Sequence, residues 1–165
     1  IKNGLLDLIG ALKYLPENYK VLILGDGILK EEIKKRIIDL HLQSRVKLCG
    51  FVEQNLLPNY YSASDIFIRP SLSEGLGNVF LEAMACELPV IATSVGGISD
   101  ILSDNDTGFI VPVKNPEEIA SKVKIIEGDK LNTSRIILQA KNMVLNKYGW
   151  EDIASRLDEI FLKIS

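Results

Sequence analysis

Cysteine and histidine are scarce in this chain. It has two cysteines, Cys49 and Cys86, and one histidine, His41, in 165 residues. That is too few for a convincing metal site, and none is expected. The cysteines fall in an expected strand and an expected helix, so they read as free, buried thiols of a cytoplasmic protein rather than as a disulfide. Positive charge is also short: 19 Lys and Arg face 22 Asp and Glu, for a net charge of −3. With no basic stripe, nucleic acid is excluded as the main partner. No apolar run approaches the ~20 residues of a membrane span. No signal peptide is visible, although the chain opens mid-pattern without Met, so its true N-terminus is not in hand. Internal repeats and low-complexity segments are absent. What remains is ordinary globular material, 47% hydrophobic and 25% charged, long enough for one domain with a real core.

Short apolar runs alternate with segments of helical period. Gly4 to Leu15 has apolar residues at 5, 8, 9, 12 and 15, a helical spacing. Lys20 to Leu24 is a short continuous apolar run, predicted as a strand buried on both faces. The Gly25-Asp26-Gly27 turn follows. Leu29 to Leu40 predicts a helix with Ile33, Ile37 and Leu40 inward and i,i+4 pairs Glu31–Lys35 and Glu32–Arg36 outward. Further strands are expected at Arg45–Cys49, Asp65–Arg69, 89–95 and Gly108–Val111. Leu56–Ser62 reads as a short helix. Asn115-Pro116-Glu117-Glu118 is a helix start, with Asn at the N-cap and Pro at N1. Leu131–Lys147 and Trp150–Ile164 are two more helices. Such alternation predicts an α/β domain: a Rossmann-like, open, parallel sheet with helices on both faces. Ligands of such sheets bind at the carboxyl ends of the strands. The loops to inspect are therefore 25–27, 50–52, 70–77 and 94–99.

The chemistry concentrates in Pro70 to Gly97, PSLSEGLGNVFLEAMACELPVIATSVGG. A polar loop carries Glu74 between serine and glycine residues and leads into a helix starting near Gly77 or Asn78. The first N–H groups of a helix lack intrahelical partners, and with glycines beside them they suit an anion such as a phosphate. Gly75 and Gly77 allow close backbone approach and unusual dihedrals. Glu82 lies in LEAMA, among residues expected to be buried, where a carboxylate needs hydrogen-bonding partners. Ligand hydroxyls could supply them, and so could water at the helix rim or a lysine. Tyr60 and Tyr61 read as packing residues and His41 as a surface residue.

Glu74 and Glu82 form E-x7-E within SEGLGNVFLEAMACELPVIAT, followed by Gly96-Gly97 and TGFIVP. GDG at 25–27, GFV at 50–52 and YYSASDIFIRPS complete the pattern. Together these resemble the retaining, nucleotide-sugar-dependent glycosyltransferases of family 4, the glycosyl transferases group 1, which have the two-domain GT-B fold. The resemblance covers essentially the whole chain but only one half of such an enzyme. Residues 1–165 would be a single nucleotide-sugar-binding domain, the C-terminal half. The N-terminal acceptor domain and the strand before residue 1 would be missing.

The resemblance implies roles for individual residues. Glu74 would lie at the donor sugar near the anomeric centre, supporting the charge of an oxocarbenium-like transition state. It is not expected to be a nucleophile, since the displacement is thought to run on one face with the leaving phosphate assisting the acceptor. Glu82 would accept hydrogen bonds from the ribose hydroxyls. Gly75, Leu76, Gly77, Asn78 and Val79 would give N–H groups to the diphosphate, and Lys2 would add its charge. Gly50, Phe51 and Val52 would line the base pocket through main-chain groups. The chain departs from the family pattern in having Glu87 where glycine is common and Ser99-Asp100 for the usual Pro-Glu, so no role passes to Asp100.

The expected activity is hexosyl transfer from a UDP- or GDP-sugar, the isolated domain being nearly inactive. No metal or cofactor is expected, since the nucleotide sugar is a substrate. The acceptor, a glycan or lipid, would be held by the missing domain. The resemblance leaves open peripheral association of the full-length enzyme with the inner face of a membrane. Two other readings stand beside it: half of a sugar-nucleotide epimerase on the same fold, and a non-catalytic nucleotide-sugar-binding module.

Overall fold

The computed structural model describes residues 4–75 and 77–164. Helix α1 (Leu5–Ala11) runs on into a 3-10 turn, Leu12–Tyr14. Then come β1 (Val21–Leu24), α2 (Lys30–Asp39), β2 (Val46–Gly50), α3 (Leu57–Ser62), β3 (Phe67–Arg69), α4 (Asn78–Ala85) and β4 (Val90–Thr93). A 3-10 turn at Gly96–Asp100, β5 (Phe109–Val111), α5 (Pro116–Gly128), α6 (Lys130–Lys147) and α7 (Trp150–Ile164) complete the order. All strand pairing is parallel. Asn115 caps α5 as expected, accepting the Glu118 N–H at 3.0 Å. Asp129 caps α6 in the same way, accepting from the Asn132 N–H at 3.0 Å.

The expected single sheet is two sheets: β1 pairs only with β2, and β3, β4 and β5 form a second group in that order. The second sheet has helices on both faces. Val90 and Ala92 of β4 turn toward α4 and α6, with Phe80, Met84 and Ala140. Ile91, between them, turns toward α1 and α5, with Leu8, Ile119 and Val123. Alternation along one strand thus feeds two cores. Burial of Phe80 and Phe109, both fully enclosed, contributes about 1.5–3 kcal/mol each.

The first sheet is covered differently. Ile23 packs under α1 and α2 with Ile9, Leu12, Ile33 and Ile37. Leu22 and Leu24 point the other way and are 41% and 37% exposed. The expectation that β1 is buried on both faces is therefore corrected: one of its faces has no helix over it. Helix α1 and the 3-10 turn after it join the sheets, with Ile9 and Leu12 in one core and Leu8 and Ala11 in the other.

Two smaller expectations also change. On α2 the pair formed is Lys34–Glu31, at 2.7 Å, instead of the two i,i+4 pairs. Cys49 and Cys86 are free thiols, but only half-buried.

Candidate functional site

Strands β3 and β4 run parallel, with Arg69 opposite Ala92, so the loops that leave them share one edge. Ser71 is fully buried. Its carbonyl accepts a hydrogen bond from the Thr93 hydroxyl, which ties the loop after β3 to the end of β4. Its own hydroxyl donates to Glu74 Oε2 at 3.3 Å. The same oxygen forms an ion pair with Arg69 Nη2 at 2.8 Å, and the Glu74 side chain is only 16% exposed. Gly96, at φ +57°, lies on the Glu74 backbone: a Cβ there would stand 1.9 Å from the Glu74 carbonyl oxygen. The 70–77 and 94–99 loops are thus one packed unit around Glu74. Gly4, just before α1, abuts the same region, since a Cβ on it would stand 1.9 Å from the Pro70 carbonyl oxygen.

Helix α4 begins where the sequence places it. Its N-cap is Gly77 at φ +68°, and no side chain caps the first turn. The leading N–H groups, those of Asn78 and Val79 among them, are then available to an anion. Gly75 corrects part of the expectation: it does not have a left-handed φ. A Cβ there would meet nothing within 4 Å, so its contribution is open space beside the helix start. Leu76 and Lys2 lie outside the described residues.

Glu82, on the second turn of α4, meets neither bulk water alone nor a lysine. The Tyr61 hydroxyl donates to its Oε2 at 2.9 Å. Tyr61 is buried and stacks edge-on against Phe67, which stacks edge-on against Phe80. Reading Tyr61 as packing alone was incomplete. Burial, then the hydrogen bond and the charge of Glu82, raise the Tyr61 phenol above its ordinary range. A raised phenol pKa contributes stability that is fully present below pH ~10, where an unfolded tyrosine begins to ionise, and is lost as pH rises further. Spectroscopic titration of tyrosinate at 295 nm is expected to show Tyr61 ionising late, together with unfolding, beside Tyr14 and Tyr19, whose phenols are also raised by their hydrogen bonds to Glu117 and Glu127. In a Tyr14→Phe/Tyr19→Phe background, Tyr61→Phe should remove the remaining late component; if it persists, the assignment to Tyr61 fails.

The second group of expected residues belongs to the other sheet. Gly25 N–H donates to the Gly50 carbonyl at 2.7 Å, joining the turns after β1 and β2. Gly50 has φ +69°. The Asp26 carboxylate pairs with Lys30 at 2.7 Å. This pair, and a hydrogen bond from the Phe51 N–H, pull the Asp26 carboxyl below its ordinary range. The Phe51 main-chain donor is therefore already engaged, while its ring is 77% exposed. Val52 is half-buried.

Arg69, Ser71 and Thr93 were not singled out from the sequence. Arg69 had a signal: it is a charge closing an apolar strand immediately before a proline. Ser71 and Thr93 had none, because their hydrogen bonds depend on strand register. Among the described residues, no group of three or more His, Cys, Asp and Glu side chains could hold a metal. No helix among them is long and apolar enough to cross a membrane.

Two loops packed round one carboxylate, with a second carboxylate one helix turn beyond an uncapped helix start, present a sheet edge suited to an anionic, hydroxyl-bearing ligand. Comparison with known proteins bears on this. The chain is 33% identical over 162 residues to an uncharacterized glycosyltransferase of Methanocaldococcus jannaschii, covering 97% of this chain and 42% of that protein. It is 33% identical over 146 residues to the sulfoquinovosyl transferase of Arabidopsis thaliana, covering 87% of this chain and 28% of that one. It spans less than half the length of these relatives. Anabaena HepE, solved in complex with UDP-glucose, superposes with a TM-score of 0.88 at 26% identity, over 95% of this chain and 44% of that one. The fold is thus the expected α/β fold, with parallel strands and helices, that such GT-B structures contain. The model of the family described as glycosyl transferases group 1 matches residues 1–143, and this chain belongs to that family.

Proposed function

We propose that the chain is the donor-binding half of a retaining glycosyltransferase that takes a UDP- or GDP-linked hexose. The observation that carries the reading is the packed arrangement of Glu74, Gly96 and the uncapped start of α4 at one sheet edge. The complex of a structural neighbour with UDP-glucose supports it.

In this reading the diphosphate sits on the N–H groups of Gly75, Leu76, Gly77, Asn78 and Val79, with Lys2 beside them. Those donors stabilise the charge that builds as the nucleoside diphosphate leaves, without a metal. The bond from the anomeric carbon to the phosphate oxygen breaks, and its electron pair goes to that oxygen. The acceptor hydroxyl attacks the same face and gives its proton to the departing phosphate. Glu74 supports the positive charge left on the sugar. Glu82 accepts hydrogen bonds from the ribose hydroxyls. Gly50 to Val52 border the base.

The same reading assigns residues 1–165 to the C-terminal domain of a longer enzyme. Among the described residues, both β1 and β3 have a free edge, with α1 lying across the two sheets. A strand N-terminal to residue 1 would pair with both edges and make one sheet of the two. The solved C-terminal domain of a group 1 glycosyl transferase from Francisella tularensis supports the division. The two superpose over 89% of this chain and 78% of that domain, with a TM-score of 0.76 at 28% identity. The acceptor, a glycan or a lipid, is then held by the preceding domain.

The test is a titration of UDP, GDP and NAD, followed by ligand-observed NMR, on this chain and on the full-length protein. Saturable binding of UDP or GDP is expected, stronger in full length and weakened about tenfold or more by Glu82→Ala. Binding unchanged in that variant would remove the ribose from Glu82. No nucleoside diphosphate binding to either form would end the donor reading.

A further inference from the structure

On the reading above, the donor site receives an anionic diphosphate yet already holds two carboxylates. Among the described residues, the cation ion-paired with either of them is Arg69, on Glu74 at 2.8 Å. Arg69 is the last residue of β3, and pairing with β4 fixes its backbone. Its Nε also reaches the Ser71 hydroxyl at 3.4 Å, and that hydroxyl donates to Glu74 at 3.3 Å. Ser71 is in turn held by Thr93 of β4. Both contacts on the Glu74 carboxylate fall on one oxygen, Oε2. The other, Oε1, has no hydrogen-bond partner among the described residues. A carboxylate gripped by one oxygen keeps its direction and presents the other as an acceptor. Glu82 is held on one oxygen in the same manner, by Tyr61, and the charge of Arg69 is felt at Tyr61 as well.

We infer that Arg69 is a positioning residue: it holds Glu74 by Oε2 so that Oε1 faces the sugar of a bound nucleotide sugar. It acts on the sugar through Glu74 and leaves the diphosphate to the helix start. The inference rests on the proposed donor site and adds how its sugar end is aimed.

The experiment is calorimetry on the full-length protein with UDP, GDP, UDP-glucose, UDP-N-acetylglucosamine and GDP-mannose. The quantity read is the gain in affinity of a sugar nucleotide over its own nucleoside diphosphate. The variants are Arg69→Met, Arg69→Lys, Glu74→Gln and the Arg69→Met/Glu74→Gln double. Arg69→Met is expected to erase the gain, about tenfold for a charge-assisted bond, with UDP or GDP affinity held within about twofold. The double variant should be no worse than Glu74→Gln alone, since the two residues act as one unit. Arg69→Lys should recover part of the gain, because it restores the charge but not the fork.

Equal loss of nucleoside diphosphate and sugar nucleotide binding in Arg69→Met would put Arg69 on the phosphates and overturn the inference. Additive effects in the double variant would overturn it too. If Arg69→Met does not fold, the cycle is run with Arg69→Lys and judged in the same way. Failure of the unmodified protein to bind UDP or GDP would instead defeat the donor reading, and the inference would fall with it. Binding of nucleoside diphosphate with no gain for any of the sugars would leave the donor reading standing and defeat the inference alone.

Discussion

Glu74→Gln is expected to lower sugar transfer by the full-length protein about 10²–10³-fold, the range found when a preorganised group facing transition-state charge is removed. Glutamine has nearly the shape of glutamate and keeps one acceptor oxygen. What it lacks is the negative charge, which the transition state uses more than the ground state does. The fold should tolerate the change. Arg69 loses its partner but is 30% exposed, so water can solvate it, and a partly exposed pair contributes about 1 kcal/mol or less. UDP or GDP affinity should stay within a few-fold, because in the proposed reading the diphosphate rests on backbone donors. Steady-state rates with thermal melts as the control decide the matter. Activity within about fivefold of the unmodified enzyme would mean that Glu74 is not at the reacting carbon.

Gly96→Ala should be the most damaging single-methyl change near the site. At φ +57° a non-glycine residue is strained by about 1–2 kcal/mol. The new Cβ would also lie 1.9 Å from the Glu74 carbonyl oxygen, a backbone atom that cannot step aside alone. One of the two loops must move. A loss on the order of 3 kcal/mol is expected, or about 6–12 °C in melting temperature for a chain of this size. Donor binding should fall with it, since Glu74 moves with its loop. Gly75→Ala is the contrast. Its Cβ meets nothing within 4 Å and its φ is ordinary, so the melting temperature should hold while nucleoside diphosphate affinity drops. A Gly96→Ala protein that melts normally would mean that the loops separate easily and are no fixed frame.

The strand–helix alternation, the positions of the strands and the start of α4 were legible because periodicity and turn residues are local properties. Glu74 and Glu82 were legible because a motif fixes their spacing. Their partners were not. Tyr61 reaches Glu82 across 21 residues of chain, and an aromatic at helical spacing reads first as core. Arg69 meets Glu74 only because the loop after β3 folds back on the strand's end. The split into two sheets was not foreseen either. Hydrophobic runs give the existence of strands, but an open edge depends on which neighbour is present, and KVLIL has the composition of a strand with neighbours on both sides. Glu87 shows the converse. It stands where glycine is common in the family pattern, and it has φ +60° just past the end of α4, a left-handed position that favours glycine.

Helix α1 has a consequence for cooperativity. Every strand pair in the structure joins near neighbours in sequence: β1 with β2, β3 with β4, β4 with β5. Among the described residues, no strand pairing links the first sheet to the second. The link runs instead through α1 and the segment that follows it, with Ile9 and Leu12 in one core, Leu8 and Ala11 in the other, and Leu15, Tyr19 and Val21 against both. The domain melts as a single unit only to the extent that those side chains hold. A chain that loosens α1 should come apart as two lobes, and the lobe that keeps Glu74 and Glu82 is the three-stranded one, with helices on both faces.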